Sequence, residues 1–225
     1  YLRHIYSSIL LDGNINYNAI IKGKIGPKNN PHLTIEYSVS DGLFETKKYP
    51  FYLSNISCNG IIDNGLGNNM KTTKISFNNF NGETKKGNIR GKFLVSNLKE
   101  YFLTADLNSN WEMNEANYYF AESPFYDCTG QIDAKTKYEG RISFDENFNE
   151  HFLNSNHYSD ISLSDLTFLY RNYPIKINIT KCIAKIHNDS ISVNNSEINI
   201  SVVFLSAVVV IMFFYLYVRI SKMND

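Results

Sequence analysis

The end of the chain sets the tightest constraint on what it can fold into. From Ile198 to Val218 there are 21 consecutive uncharged residues, and Val202 to Val218 is almost wholly apolar. An α-helix needs about 20 such residues to cross ~30 Å of hydrocarbon, so the sequence predicts a transmembrane helix over 201–218. Tyr215 and Tyr217 would then sit at a headgroup interface. Arg219 and Lys222 follow the run directly, whereas 187–201 holds no Lys or Arg. By the positive-inside rule, the 219–225 tail is expected in the cytoplasm and the bulk of the chain outside. That tail is too short to fold. A start at Tyr1, with neither Met nor an apolar leader, reads as a chain whose signal peptide has been removed.

The remaining residues read as mainly β. Tyr and Phe make 14% of the chain aromatic with the single Trp, against 20% charged residues, a balance that suits pleated, half-buried surfaces rather than disorder. Alternating or apolar runs at Arg3–Leu11, Tyr17–Ile25, Leu33–Val39, Tyr49–Ser57, Thr72–Phe77 and Ile89–Val95 are predicted strands. Between them stand Asp12-Gly13-Asn14, the 26–31 segment, Asp41-Gly42, Asp63-Asn64-Gly65 and Asn81-Gly82, which are read as turns. The segment 175–186 alternates with a phase change near Lys181, the mark of a bulged strand.

Leu98, Tyr101, Phe102 and Ala105 fall at helical spacing, as do Leu166, Leu169, Tyr170 and Tyr173, and predict two short helices. The expected architecture is an antiparallel β-sandwich-like domain over 1–187, then a polar stalk at 188–200. The likeness of 97–103 to 147–153, offset by 50, would divide the domain into two modules near 129–136.

Cys58, Cys128 and Cys182 cannot all pair within one chain, so an oxidising compartment implies one bridge and one odd thiol. The spacings favour neither Cys58–Cys128 nor Cys128–Cys182, and either would stabilise by roughly 4 kcal/mol. Glycosylation sequons begin at Asn55, Asn178, Asn188 and Asn194, with a fifth, at Asn199, too near the bilayer for modification. With 30 Asn in the chain, chance alone supplies most of these. The Asn, Ile, Lys, Tyr and Phe bias follows A/T-rich codons and points to a low-GC genome, such as those of certain large DNA viruses and protozoa.

Lys+Arg and Asp+Glu both number 22, for a formal charge of zero. No basic field exists to hold a phosphate backbone, so nucleic acid is not an expected partner. Gly65 to Thr72 lacks the glycines that a dinucleotide-binding or phosphate-binding loop requires and is read as a hairpin turn. His151 and His157, with Glu150 and Asp160 nearby, are the best metal-ligand candidates. Their spacing fits no helix face or zinc finger, and they are read as a solvated loop. Lys47-Lys48 and Lys85-Lys86 are read as charges that protect hairpin edges. No catalytic signature is present and no cofactor is expected.

Glu122-Ser123-Pro124-Phe125-Tyr126-Asp127-Cys128 resembles the F-strand signature of immunoglobulin domains, which implies Tyr126 as a corner tyrosine and Cys58 as the bridge partner of Cys128. No Trp follows Cys58 as that pattern requires, and Trp111 lies near the other cysteine. Leu2-Arg3-His4-Ile5-Tyr6-Ser7-Ser8 and Tyr138-Glu139-Gly140 resemble short stretches of class I MHC heavy chains. These matches imply a viral immune-modulating glycoprotein.

The resulting expectation is a viral single-pass type I membrane glycoprotein, in the secretory pathway, at the cell surface or in a viral envelope. It would be held in the lipid bilayer by 201–218, with an ectodomain that binds a host or viral protein in immune modulation or attachment. A structural or entry-complex role in a viral envelope, with a partner in the same membrane, is the alternative. A metal-dependent extracellular enzyme using His151 and His157 is a third reading.

Overall fold

The computed structural model describes residues 9–26, 29–46, 52–115, 125–142, 151, 154–170, 176–188 and 190–200. Ten strands follow in chain order: β1 (Ile9–Lys22), β2 (His32–Thr46), β3 (Tyr52–Asp63), β4 (Lys74–Thr84), β5 (Gly87–Ser96), β6 (Phe102–Glu112), β7 (Phe125–Arg141), β8 (Asn156–Tyr170), β9 (Lys176–His187) and β10 (Ser190–Ile200). They form a single antiparallel sheet in the order β1 to β10, an uninterrupted meander.

The mainly antiparallel β class expected from the sequence is thus what the chain adopts. The sandwich is not: each strand pairs with its neighbours in the chain, so none crosses to a second sheet as Greek-key connections would require. Residues 129–136, the expected module boundary, lie inside β7, where 131–136 pair with both β6 and β8. The segment expected as a stalk is strand β10, paired with β9 from Ser190↔His187 to Ile200↔Ile177. The expected span and tail, 201–225, lie outside the described residues, as does the 147–150 part of the repeat. Among the described residues, no helix is long and apolar enough to cross a membrane.

Neither short helix forms as read. Phe102 and Ala105 are in β6, and Leu166 and Leu169 are in β8. In β8 the cause is Asp165, which takes a left-handed φ of 50°. Together with the register shift between β7 and β8 it changes the side-chain phase, so that Leu163, Leu166 and Phe168 are all buried on one face. Leu166 and Leu169, expected on one helix face, thus differ in burial, Leu166 enclosed beside Phe168 and Leu169 half-buried, and Tyr173 lies outside the described residues.

The same device recurs. Asp41, Asn55, Asn79 and Asp127 have φ between 49° and 54° inside β2, β3, β4 and β7, each next to a register shift. Asn and Asp tolerate this region because their short side chains satisfy the local backbone. Asp12-Gly13-Asn14 and Asp41-Gly42, read as turns, face each other across β1 and β2 as one irregularity within the ladder. A Cβ on Gly13 would meet the Gly42 Cα at 2.7 Å, so only glycine permits this approach. In β9, buried Ile177 and Ile179 give way to buried Cys182 and Ala184, with Thr180 and Lys181 exposed between them, which bears out the phase change near Lys181.

Apolar residues collect on one face. The row Tyr17, Tyr37, Gly60, Phe77, Phe93, Ala105, Tyr138, His157 runs through eight strands in direct register. The next row runs Ala19, Ile35, Ile62, Ile75, Val95, Leu103. Phe77 stacks on Phe93 at 4.2 Å, with Tyr37 edge-on to Phe77 at 5.9 Å. The opposite face carries Glu36, Ser38, Asn59, Lys92, Lys137 and Glu139, all exposed. Burial is deepest at β7–β9, where Phe168, Ile179, Cys182 and Ala184 are fully enclosed in a cluster with Cys128, Leu163, Leu166 and Ile177.

Candidate functional site

The opposite end of the sheet is open. Every described side chain of β1 from Leu10 to Lys22 is exposed, with Leu11 at 67%, Ile15 at 65%, Tyr17 at 73% and Ile21 at 56%. Among the described residues β1 pairs with β2 alone, along its inner side, so its outer side presents N–H and C=O groups that no described strand takes up, over alternate residues. The strand forms because Asn14, Asn16 and Asn18 alternate with Ile15, Tyr17 and Ala19, a period of two that places the apolar set on the apolar side of the sheet. The two strands expected on either side of Asp12-Gly13-Asn14 are one strand, Ile9–Lys22. The alternation from Asn14 to Ala19, starting directly at the expected turn, is the signal for one long strand.

Edges of this length are ordinarily blunted by proline, by lysine within the strand, or by a bulge of the strand itself. β1 has no proline and its lysine, Lys22, is its last residue. At the irregularity beside Gly13 the extra residue belongs to β2, where Asp41 and Gly42 oppose Gly13 alone. The outer side of β1 is therefore a straight template for another extended chain.

The cysteines stand on three strands and no disulfide joins them. Cys58 (β3) and Cys128 (β7) have three strands between them, and Cys128 and Cys182 (β9) have one. At ~4.8 Å per strand, even the latter pair is ~10 Å apart, beyond the ~7 Å that a bridge spans. The expected bridge is thus replaced by three buried thiols. Burial pushes the Cys128 thiol up to about 11, with the Asp127 carboxylate adding to the effect, and raises Cys58 and Cys182 as well. Thiols held protonated in this way are poor nucleophiles.

His157 is buried in β8, not on a solvated loop. Its Nδ1 lies 3.1 Å from Ser155 Oγ, and its backbone N–H donates to Asn188 Oδ1 at 3.0 Å. Burial lowers its pKa against the opposing effect of the Asn188 and Ser155 backbones. Among the described residues, no group of three or more His, Cys, Asp or Glu is arranged to hold a metal; Glu150 lies outside them.

Of the glycosylation candidates, Asn55, Asn178 and Asn194 are exposed and Asn188 is half-buried. Asn55 donates to Glu83 Oε2 at 2.7 Å, and Asn178 accepts from Thr167 Oγ1 at 3.1 Å.

Lys85 and Lys86 form the two-residue turn between β4 and β5, as expected of a hairpin. Reasoning from sequence missed what secures it. The carboxylate of Glu115, only 2% exposed, accepts from Thr84 Oγ1 at 2.7 Å, Lys85 N at 3.1 Å and Lys86 N at 3.2 Å, while Lys86 Nζ pairs with Glu112 at 3.1 Å. Lys47-Lys48 lies outside the described residues. The loop after β3 is pinned by Asp63, which accepts from His32 at 3.1 Å and from Gly65 N at 2.6 Å, partners that hold its carboxyl below the usual carboxylate range.

No family model, curated protein or solved structure matches the chain.

Proposed function

We propose that this chain is a viral single-pass type I membrane glycoprotein that acts by binding a polypeptide, a host or viral protein, and that the partner docks as an added strand along the outer edge of β1. The observation that carries this reading is the open edge itself: exposed from Leu10 to Lys22, unbulged and free of proline. Main-chain hydrogen bonds would supply affinity, and Ile15, Tyr17 and Ile21 on one face with Asn14, Asn16 and Asn18 on the other would supply discrimination. The uncharged 201–218 segment supports the membrane anchor, and the flanking Arg219 and Lys222 support its orientation.

Two measurements test the proposal. A photoreactive residue at Ile15 of the full-length protein in its membrane should form polypeptide adducts at least about tenfold more often than one at Lys137, on the polar face of β7. Equal labelling at both positions, or none at Ile15, would overturn docking along β1. For topology, endoglycosidase should increase the gel mobility of the protein expressed with its native leader. An unchanged band, together with cleavage by protease added from the cytosolic side, would overturn the type I arrangement.

A further inference from the structure

We infer that the strand docked on β1 is the β1 of a second copy of this chain, paired antiparallel about a two-fold axis through Tyr17. The inference rests on the reading of β1 as a docking edge and names its occupant. The segment Asn14–Lys22 pairs with β2 in unbroken register, Gly13 stands between it and Asp12 with a φ of 136° and its N–H donating to Asp12 Oδ1 at 2.8 Å, and the midpoint of Asp12–Lys22 is Tyr17. When the segment is laid antiparallel on itself with full overlap, Tyr17 faces Tyr17, Asn16 faces Asn18, Ile15 faces Ala19, and Asp12 faces Lys22 at both ends.

The axis stands perpendicular to the sheet, so the apolar face of one copy continues into that of the other, and the asparagine faces likewise join. Opposite charges directly across a ladder attract, whereas like charges there repel. Asp12 and Lys22 are both exposed, and among the described residues neither enters an ion pair.

The charges also choose the register. A centre at Asn16 would set Asp12 against Ile20, and a centre at Asn18 would carry Asp12 past Lys22 and off the strand. Only the Tyr17 centre sets two ion pairs inside the strand, and it leaves Ile9–Leu11 outside the overlap. The contact is isologous, the same patch on both copies, and closes as a dimer rather than growing into a fibre. Because the strands that would meet are identical, no other gene product is needed to cover the edge.

The test uses the full-length protein in detergent micelles. Under mild oxidation Tyr17→Cys should form a covalent dimer, because residue 17 alone faces itself. Asn14→Cys, placed about 20 Å from its counterpart at ~3.4 Å per residue, should give at least tenfold less. Asp12→Lys or Lys22→Asp should each weaken self-association about tenfold, as two like-charge oppositions of up to ~1 kcal/mol would. The double exchange Asp12→Lys/Lys22→Asp should restore it to within about threefold of the unmodified chain, a recovery that misfolding could not produce.

Covalent dimer no more abundant for Tyr17→Cys than for Asn14→Cys, or failure of the double exchange to recover association, would overturn the inference. If photo-adducts at Ile15 nonetheless form with a different polypeptide, the second-copy assignment fails while docking along β1 stands. If neither adduct nor dimer forms, both fail.

Discussion

Tyr37 occupies the space left by the missing side chain of Gly60. Its hydroxyl donates to the Ser76 carbonyl at 2.8 Å, and a Cβ on Gly60 would meet that hydroxyl oxygen at 2.6 Å and the ring carbon bearing it at 2.7 Å. This joint ties β2 to β4 across β3 at the centre of the aromatic row. Burial accordingly raises the Tyr37 pKa well above the ordinary phenol value.

Gly60→Ala should therefore lower stability by about 2 kcal/mol or more, since the new methyl group meets backbone as well as the ring. Tyr37→Phe, which keeps the ring and removes only the hydrogen bond, should lose about 1 kcal/mol. Denaturant titration of the two variants beside the parent chain checks the order. Equal losses would mean that the joint is not a close-packed one.

Three buried thiols make a countable expectation. Unfolding in denaturant without reductant should release three titratable thiols per chain, and the native protein should react with a thiol reagent orders of magnitude more slowly than a free cysteine. A single thiol after unfolding would instead indicate a bridge and require β7 to lie closer to β3 or β9 than it does here.

The buried carboxylate of Glu115 meets three donors and has no other role in view. Glu115→Gln should cost about 2 kcal/mol, because an amide nitrogen now confronts an N–H or hydroxyl that it cannot accept from. The damage should concentrate at the hairpin: amide exchange of Lys85 and Lys86 should quicken more than that of β9, and uniform quickening would place the carboxylate's role elsewhere.

The His157 pKa is depressed in the folded chain, so the unfolded chain binds the extra proton more readily. Its contribution to stability is complete above the unfolded value of ~6.5 and is lost as pH falls through the lower, folded value. Thermal stability should drop on acidification below about pH 6.5, and His157→Gln should flatten that slope. An unchanged slope in the variant would assign the acid sensitivity to another group. Asp63, depressed by His32 and Gly65 N–H, acts in a separate window beginning below ~4.

The β-rich class was legible because aromatic and β-branched residues alternate along most of the chain, and β9 was found with its phase change. What misled were the bulges. At Asn79 in β4 and Asp165 in β8 a left-handed Asx residue shifts the side-chain phase, so strict alternation fails within a single strand, and the chance helical spacings at Leu98–Ala105 and Leu166–Tyr173 read as helices in its place. At Asp12-Gly13 and Asp41-Gly42 the turn chemistry is genuine, but the paired strand on either side holds it within the ladder. A single sheet and a sandwich share one alternating pattern, and only the strand pairing tells them apart. The β1 edge was hidden for the same reason: its residues look like those of any strand, and that no described strand pairs with its outer side is a property of the sheet.

The most direct test is amide hydrogen exchange along β1 in the full-length protein, compared at concentrations above and below self-association. Exchange over Asn14–Ile21 should slow by at least tenfold on association, with β5 and β6 unchanged, and Asp12→Lys should move the onset of slowing to about tenfold higher concentration. Exchange over Asn14–Ile21 that ignores association, or protection arising on other strands instead, would contradict β1 as the edge on which two copies meet.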